Sequence, residues 1–198
     1  MIALIDYGAG NLTSVRKALG AIGADVLVPS VPSDLADARG VIVPGVGHFG
    51  ATRVLQGDWT DAILERIGEG RPLLGICLGM QWLFEGSEEA PDVPGLGLLA
   101  GRCGRLAGAG VKVPHVGWNA IDLARQGTIA AGITPGTQFY FTHSFVAPVS
   151  GDTVASATHG EPFAAIVERG QVAGVQFHPE KSGDAGLTIL RNFLELAR

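Results

Sequence analysis

The chain has 198 residues, enough for one compact domain with a substantial core. Apolar residues make up 46% of it but charged residues only 17%, below the usual quarter, which suggests that a partner covers some of the surface. A net charge of −5 with no Lys/Arg cluster argues against nucleic acid or a membrane surface as partner, two cysteines make no disulfide framework, and no apolar run approaches a membrane span.

Asp6 interrupts the opening "MIALIDYG" and no basic segment precedes it, so no signal peptide and a cytoplasmic location are expected. The five histidines lack the companions of a zinc site, so neither metal nor cofactor is expected. Thirty scattered glycines read as tight turns in an ordered fold.

In chain order, "IALID" reads as a short buried strand. "NLTSVRKALGAIG" places Leu12, Val15, Leu19 and Ile22 on one helical face, with Asn11 as N-cap. "ADVLVP" and "GVIVPG" read as two further buried strands with a short connection. Helical patterns follow over 49–55 and 60–67, then strand "PLLGI" and helix "GMQWLF". This alternation predicts a parallel sheet covered on both faces. Past the acidic, proline-bearing "EGSEEAPDVPG" the texture changes. "KVPHVGWNAIDL", "QFYFTHSFVAP", "TVASATH" and "FAAIVERGQVAGVQFH" read as successive strands, the last pair joined at Arg169-Gly170. A closing helix from about 184 turns Leu187, Leu190, Phe193 and Leu194 to the core. No repeat or linker divides the chain, so one domain over 1–198 is expected.

Cys77 lies in "GICLG", the form of a nucleophile elbow with sulfur in place of a serine oxygen. A strand ends before it and a helix begins after it, whose N–H groups favour thiolate over thiol. Cysteine is also a common small core residue, and the motif alone does not decide. "GVQFHPEKS" adds a base: the proline after His178 favours extended geometry there, and in an extended segment His178 and Glu180 point the same way. A thiol nucleophile needs such a base and a third group to orient it. An oxyanion hole needs two N–H donors. Leu78 would supply one, and the glycine-rich Gly45–Gly47 segment, otherwise a plain tight turn, the other. Its glycines flanking Val46 would permit a peptide flip, so the hole could be made on demand. Cys103 in "AGRCGRL" reads as a small strand residue.

Taken together, "GICLGMQ", "GVQFHPEKS" and "VPGVGHF" resemble the class I (triad) glutamine amidotransferases. Within that family, "IDYGAGNL", "PHVGWN" and "FYFTHSF" resemble the glutaminase subunits of imidazole glycerol phosphate synthases. The resemblance spans Ile5 to Ser182, and the motifs in this order are specific where each alone is not. It implies a flavodoxin-like α/β fold, an open mixed, mainly parallel sheet with helices on both faces. It implies Cys77, His178 and Glu180 as the triad, and Val46 and Leu78 as oxyanion donors. It implies Gly45, Gly47, Gln81, His143, Ser144 and Phe145 around L-glutamine. It further implies that ammonia passes to a (β/α)₈ cyclase subunit in a heterodimer, with Asn11, Trp118, Asn119 and Lys181 toward that partner. An aromatic such as Trp118 is otherwise most often a core residue. The family often has tyrosine where this chain has Phe145 and alanine where it has His48, and the chemistry requires no catalytic role of His48. Other class I systems, of the anthranilate, aminodeoxychorismate or pyridoxal phosphate type, share the elbow and "FHPE" but should lack the "PHVGWN" and "FYFTHSF" pair.

Overall fold

Strand and helix alternate through the first half of the computed structural model, which describes residues 1–108 and 110–198. The order is β1 (Ile2–Leu4), α1 (Leu12–Ala21), β2 (Val26–Leu27), β3 (Gly40–Val43), α2 (Asp58–Gly68), β4 (Leu73–Ile76) and α3 (Leu78–Trp82). The second half is strand-rich: β5 (Gly86–Ser87), β6 (Arg102–Arg105), β7 (His115–Ala120), β8 (Asp122–Leu123), β9 (Gln138–His143) and β10 (Phe145–Val146). It ends with β11 (Thr153–His159), β12 (Glu161–Arg169), β13 (Val172–Val175) and α4 (Gly183–Leu196).

Eight strands form one sheet in the order β2-β1-β3-β4-β13-β12-β11-β8. The pairs from β2 through β13 are parallel, and the remaining three are antiparallel. The period of two along each strand sorts side chains to two cores. Ile2, Leu4, Ile42, Leu74 and Ile76 pack with Val15 and Leu19 of α1 and with Ile189, Leu190 and Phe193 of α4. Ala3, Val41, Val43 and Leu73 face the other way, toward Ile63 of α2 and Trp82 at the end of α3. The fold is therefore the open, mainly parallel α/β sheet that the alternation predicts. Two small sheets lie beside it: β10-β6-β5, and an antiparallel ribbon of β7 and β9 with His115 opposite His143.

Several local expectations need correction. β2 is an edge strand paired on one side only, so Val26 and Leu27 are half-buried rather than buried. Phe49–Leu55 is 3₁₀ rather than α, capped by the His48 side chain accepting from the Gly50 amide. "KVPHVGWNAIDL" yields two strands in different sheets, β7 and β8. In α4 Leu190 and Phe193 are buried with Ile189, which the expectation left out, and Leu187 and Leu194 are half-buried against the same core. Asn11 caps α1 through its side-chain oxygen, 3.2 Å from the Ser14 amide.

Candidate active site

Between the end of β4 and the start of α3 the chain reverses at Cys77, with φ 52° and ψ −106°. It is the one non-glycine residue with positive φ among those described, a conformation worth roughly 1–3 kcal/mol of strain. The flanking glycines are sterically required. A Cβ at Gly75 would lie 2.6 Å from the Gly79 carbonyl oxygen, and one at Gly79 only 1.8 Å from the Val43 carbonyl oxygen. Cys77 is nonetheless 4% exposed. Its Sγ accepts from Gln176 Nε2 at 3.5 Å and reaches the Thr142 carbonyl at 3.8 Å.

His178 follows β13, the parallel neighbour of β4, with Val175 in register with Ile76. Past the strand ends both residues are held by main-chain bonds: the Cys77 amide prolongs the sheet by donating to Val175 O at 2.8 Å, and the His178 amide donates to Tyr140 O of the β7–β9 ribbon at 2.9 Å. His178 Nδ1 lies 2.9 Å from Glu180 Oε1, and the two side chains are 2% and 1% exposed. Strand alternation does not bring them together, contrary to expectation. Pro179–Lys181 is a 3₁₀ turn, tied back by Ser182 Oγ donating to His178 O at 2.7 Å, and the turn carries the carboxylate to the imidazole. A carboxylate only accepts, so the His178 proton sits on Nδ1 and Nε2 is left toward the sulfur. Burial opposes a charge on His178, but Cys77 and Glu180 outweigh it and raise its pKa to about 10. The imidazole therefore favours its charged form at neutral pH, although His178 Nε2 closes no hydrogen bond among the described residues.

A pocket of about 180 Å³ opens beside the thiol, with Gly47, Leu78 and Gln81 on one wall and Thr142 to Phe145 on the other. Both amide protons of Gln81 are engaged, by Phe145 O at 2.8 Å and Gln176 Oε1 at 3.1 Å. Its oxygen is what remains for a ligand, which suits a cationic group. Glu89 also lines the pocket, its Oε2 accepting from the Phe49 amide at 2.7 Å. Gly45 and Val46 do not line it. Gly45 is packed so tightly that a Cβ would lie 2.2 Å from the Tyr7 hydroxyl, and its carbonyl accepts the Leu78 amide at 3.4 Å. A larger cavity of about 540 Å³ lies among residues 123–133, with no cysteine, serine or histidine in its wall.

Sequence reasoning missed Gln176, Glu89, Thr142 and Pro114. Gln176 had a usable signal, standing two residues before His178 on the same extended segment. Glu89 did not, being one of several acids in "EGSEEAPD".

Trp118 is 55% exposed and Val116 57%, both on the outer face of β7, so the core reading of Trp118 fails. Tyr140 meets Trp118 edge-on at 6.1 Å, and Lys181 Nζ lies 5.7 Å from the Tyr140 ring centre. Asn119 does not share that face: it is half-buried, donating to Thr158 O at 3.0 Å. Asn11 and Lys181 are exposed. Among the described residues no group of His, Cys, Asp and Glu is placed to hold a metal, and no helix is long and apolar enough to cross a membrane.

The family described as glutamine amidotransferase class-I matches residues 3–197. The imidazole glycerol phosphate synthase subunit HisH of Moorella thermoacetica is 50% identical, over 100% of this chain and 95% of its own length. The subunit of the same name from Methanothermobacter thermautotrophicus is 45% identical over the whole of both chains. Among solved structures, PurLQS from Thermotoga maritima superposes with a TM-score of 0.78, covering 100% of this chain and 98% of that one at 19% identity, a likeness of fold alone.

Proposed function

Because the chain belongs to the class I glutamine amidotransferases, we propose that it is the glutaminase subunit of an imidazole glycerol phosphate synthase. It hydrolyses L-glutamine to L-glutamate and ammonia. The ammonia passes to a cyclase subunit that forms imidazole glycerol phosphate and aminoimidazole carboxamide ribotide in histidine biosynthesis. The full-length identity to relatives named as that synthase's subunit favours this reading over the anthranilate, aminodeoxychorismate and pyridoxal phosphate systems.

The Cys77 thiolate attacks the side-chain amide carbon, and the charge moves to the oxygen. His178 gives its Nε2 proton to the departing ammonia, then takes one from the water that releases glutamate from the thioester. Glu180 holds the ring and its charge through Nδ1. The Gly45 carbonyl and the Val46 N–H belong to one peptide unit. Its rotation lifts the carbonyl from the Leu78 amide and turns the Val46 N–H inward, so one motion assembles both oxyanion donors, each worth roughly 3–4 kcal/mol. The substrate's ammonium faces Gln81 and Glu89, and backbone at His143 to Phe145 holds its carboxylate. The chain uses no cofactor.

The partner is a (β/α)₈ barrel cyclase in a cytoplasmic heterodimer. Its docking face includes Trp118, Lys181 and Asn11, with Asn119 at the ribbon's margin. The low charge, the exposed Val116 and Trp118 and the half-buried Tyr140 beside them support this, since Tyr140 also holds the His178 amide and so borders the triad.

The observation that carries the proposal is the placement of thiol and imidazole at the ends of adjacent parallel strands, with Glu180 behind the imidazole. The test separates making ammonia from using it. With glutamine, the Cys77→Ala complex should form no product, but with an ammonium salt at raised pH it should still form imidazole glycerol phosphate. His178→Ala should behave alike. If either variant, still associated with the cyclase, loses the ammonium-driven reaction as completely, the glutaminase role is wrong.

A further inference from the structure

The inner face of the β7–β9 ribbon carries a row of hydrogen bonds that the proposed chemistry does not use. His115 and His143 stand opposite in register, 4% and 6% exposed. His143 Nδ1 is 3.2 Å from Phe145 O, His143 Nε2 is 3.0 Å from His115 Nδ1, and His115 Nε2 is 3.4 Å from Asn119 Nδ2. One assignment of protons satisfies all three contacts. A carbonyl only accepts, so His143 carries its proton on Nδ1. Its Nε2 then accepts, which puts the His115 proton on Nδ1 and leaves His115 Nε2 to accept from Asn119. Every donor points toward the pocket.

Both rings must be neutral for this to hold, since a second proton on either would set two N–H groups head to head. Burial and the neighbouring histidines lower His115 to about 4 and His143 to about 3. The titratable groups facing the pair are His159, stacked on His115 with centroids 4.1 Å apart, and His178. Burying two polar rings is unfavourable unless their nitrogens are paired, and His115 already stacks on Phe141 as a phenyl ring would. It is the nitrogens, not the ring volumes, that require an explanation. The row ends on the Phe145 carbonyl, the oxygen that also accepts from Gln81 Nε2.

We propose that His115 and His143 are positioning residues for the glutamine pocket: a one-way row of hydrogen bonds running from Asn119, it fixes the Phe145 carbonyl and through it Gln81. The proposal rests on reading this pocket as the glutamine site.

The test needs neither turnover nor partner. Iodoacetamide alkylates Cys77 in the intact chain, Cys103 being fully buried, and the glutamine concentration giving half-protection is read by mass spectrometry. His115→Phe keeps the ring and loses both nitrogens. Its alkylation rate without glutamine should match wild type, and its half-protecting concentration should rise about five- to tenfold. His115→Asn, whose amide N–H falls near the Nδ1 position, should return it to within about twofold. Asn119→Asp, a half-buried change that leaves the core alone, replaces the donor at the head of the row and should also raise it. Protection of His115→Phe and Asn119→Asp at the wild-type concentration overturns the proposal. So does a His115→Asn shift as large as that of His115→Phe, since ring packing would then be what matters. If glutamine fails to protect the wild type, the pocket assignment itself falls, and with it the proposal.

Discussion

Acidification from pH 7 to pH 5 should weaken the fold through the buried pair, and His143 sets the scale. Burial, with His115 next in effect, holds its pKa at about 3, against the ordinary histidine value of about 6.5. A group whose folded pKa is depressed contributes stability above its unfolded pKa and loses it as pH falls toward the folded value. At pH 5 the unfolded chain has bound nearly a full proton there and the folded chain almost none, a loss of about 2 kcal/mol. With a urea slope of about 2 kcal/mol per molar, the unfolding midpoint falls by about 1 M. His115 acts in the same direction. His178 opposes them weakly: its pKa is raised, so its contribution is complete below about 6.5 and is lost only as pH rises through about 10. The control is His143→Asn, which keeps an N–H near Nδ1 and cannot titrate. Wild type should lose about 1 M more in urea midpoint than this variant between the two pH values. Equal losses would refute the neutral, buried state of His143.

Gly79→Ala should cost about 3 kcal/mol or more in urea unfolding, because its Cβ meets the main-chain oxygen of Val43 in a central strand; an unchanged midpoint would refute the close approach. Trp118→Ala should alter stability by less than about 0.5 kcal/mol while weakening association with the cyclase in titration calorimetry, and a large fall in melting temperature would restore the core reading. Gln176→Leu removes the amide that donates to the Cys77 sulfur, so alkylation of Cys77 at pH 7 should slow by about tenfold; an unchanged rate would mean that the contact does not ready the sulfur.

The features legible in the sequence are those written in local steric rules. Glycines two residues either side of Cys77 announce a reversal because no larger residue fits against Val43 and the first turn of α3. The strand–helix alternation follows from apolar periodicity, and its sheet follows from the handful of ways such units pack. What was not legible depends on which elements meet. The period along "HVGWNA" marks two faces but does not say which faces solvent, so the partner face that the resemblance implies for Trp118 and the core position usual for an aromatic are separated only once β7 is seen to pair with β9 outside the main sheet. Glu180 reads correctly as the partner of His178, but by the wrong geometry. Proline at 179 opens a 3₁₀ turn whose closure depends on Ser182 and on Tyr140 from a distant strand. The pairing of His115 with His143 joins residues 28 positions apart and has no local signature.

The hydrogen bonds that hold Cys77 and His178 in place differ in kind from the one at Leu78. The first prolongs the central sheet at 2.8 Å and the second ties its β13 end to the β7–β9 ribbon at 2.9 Å, whereas the third is a 3.4 Å contact to a glycine-flanked loop. Opening free energies in a folded protein range from near zero at such loops to the full unfolding value in central strands. In deuterated water the Cys77 amide should therefore exchange only when the whole domain opens, and that of Leu78, one residue from the nucleophile, far sooner. Two residues adjacent in the chain thus stand at opposite ends of the molecule's ladder of openings. The loop can then be retuned by substitution at Val46 or His48 while the geometry of thiol and imidazole stays tied to the sheet.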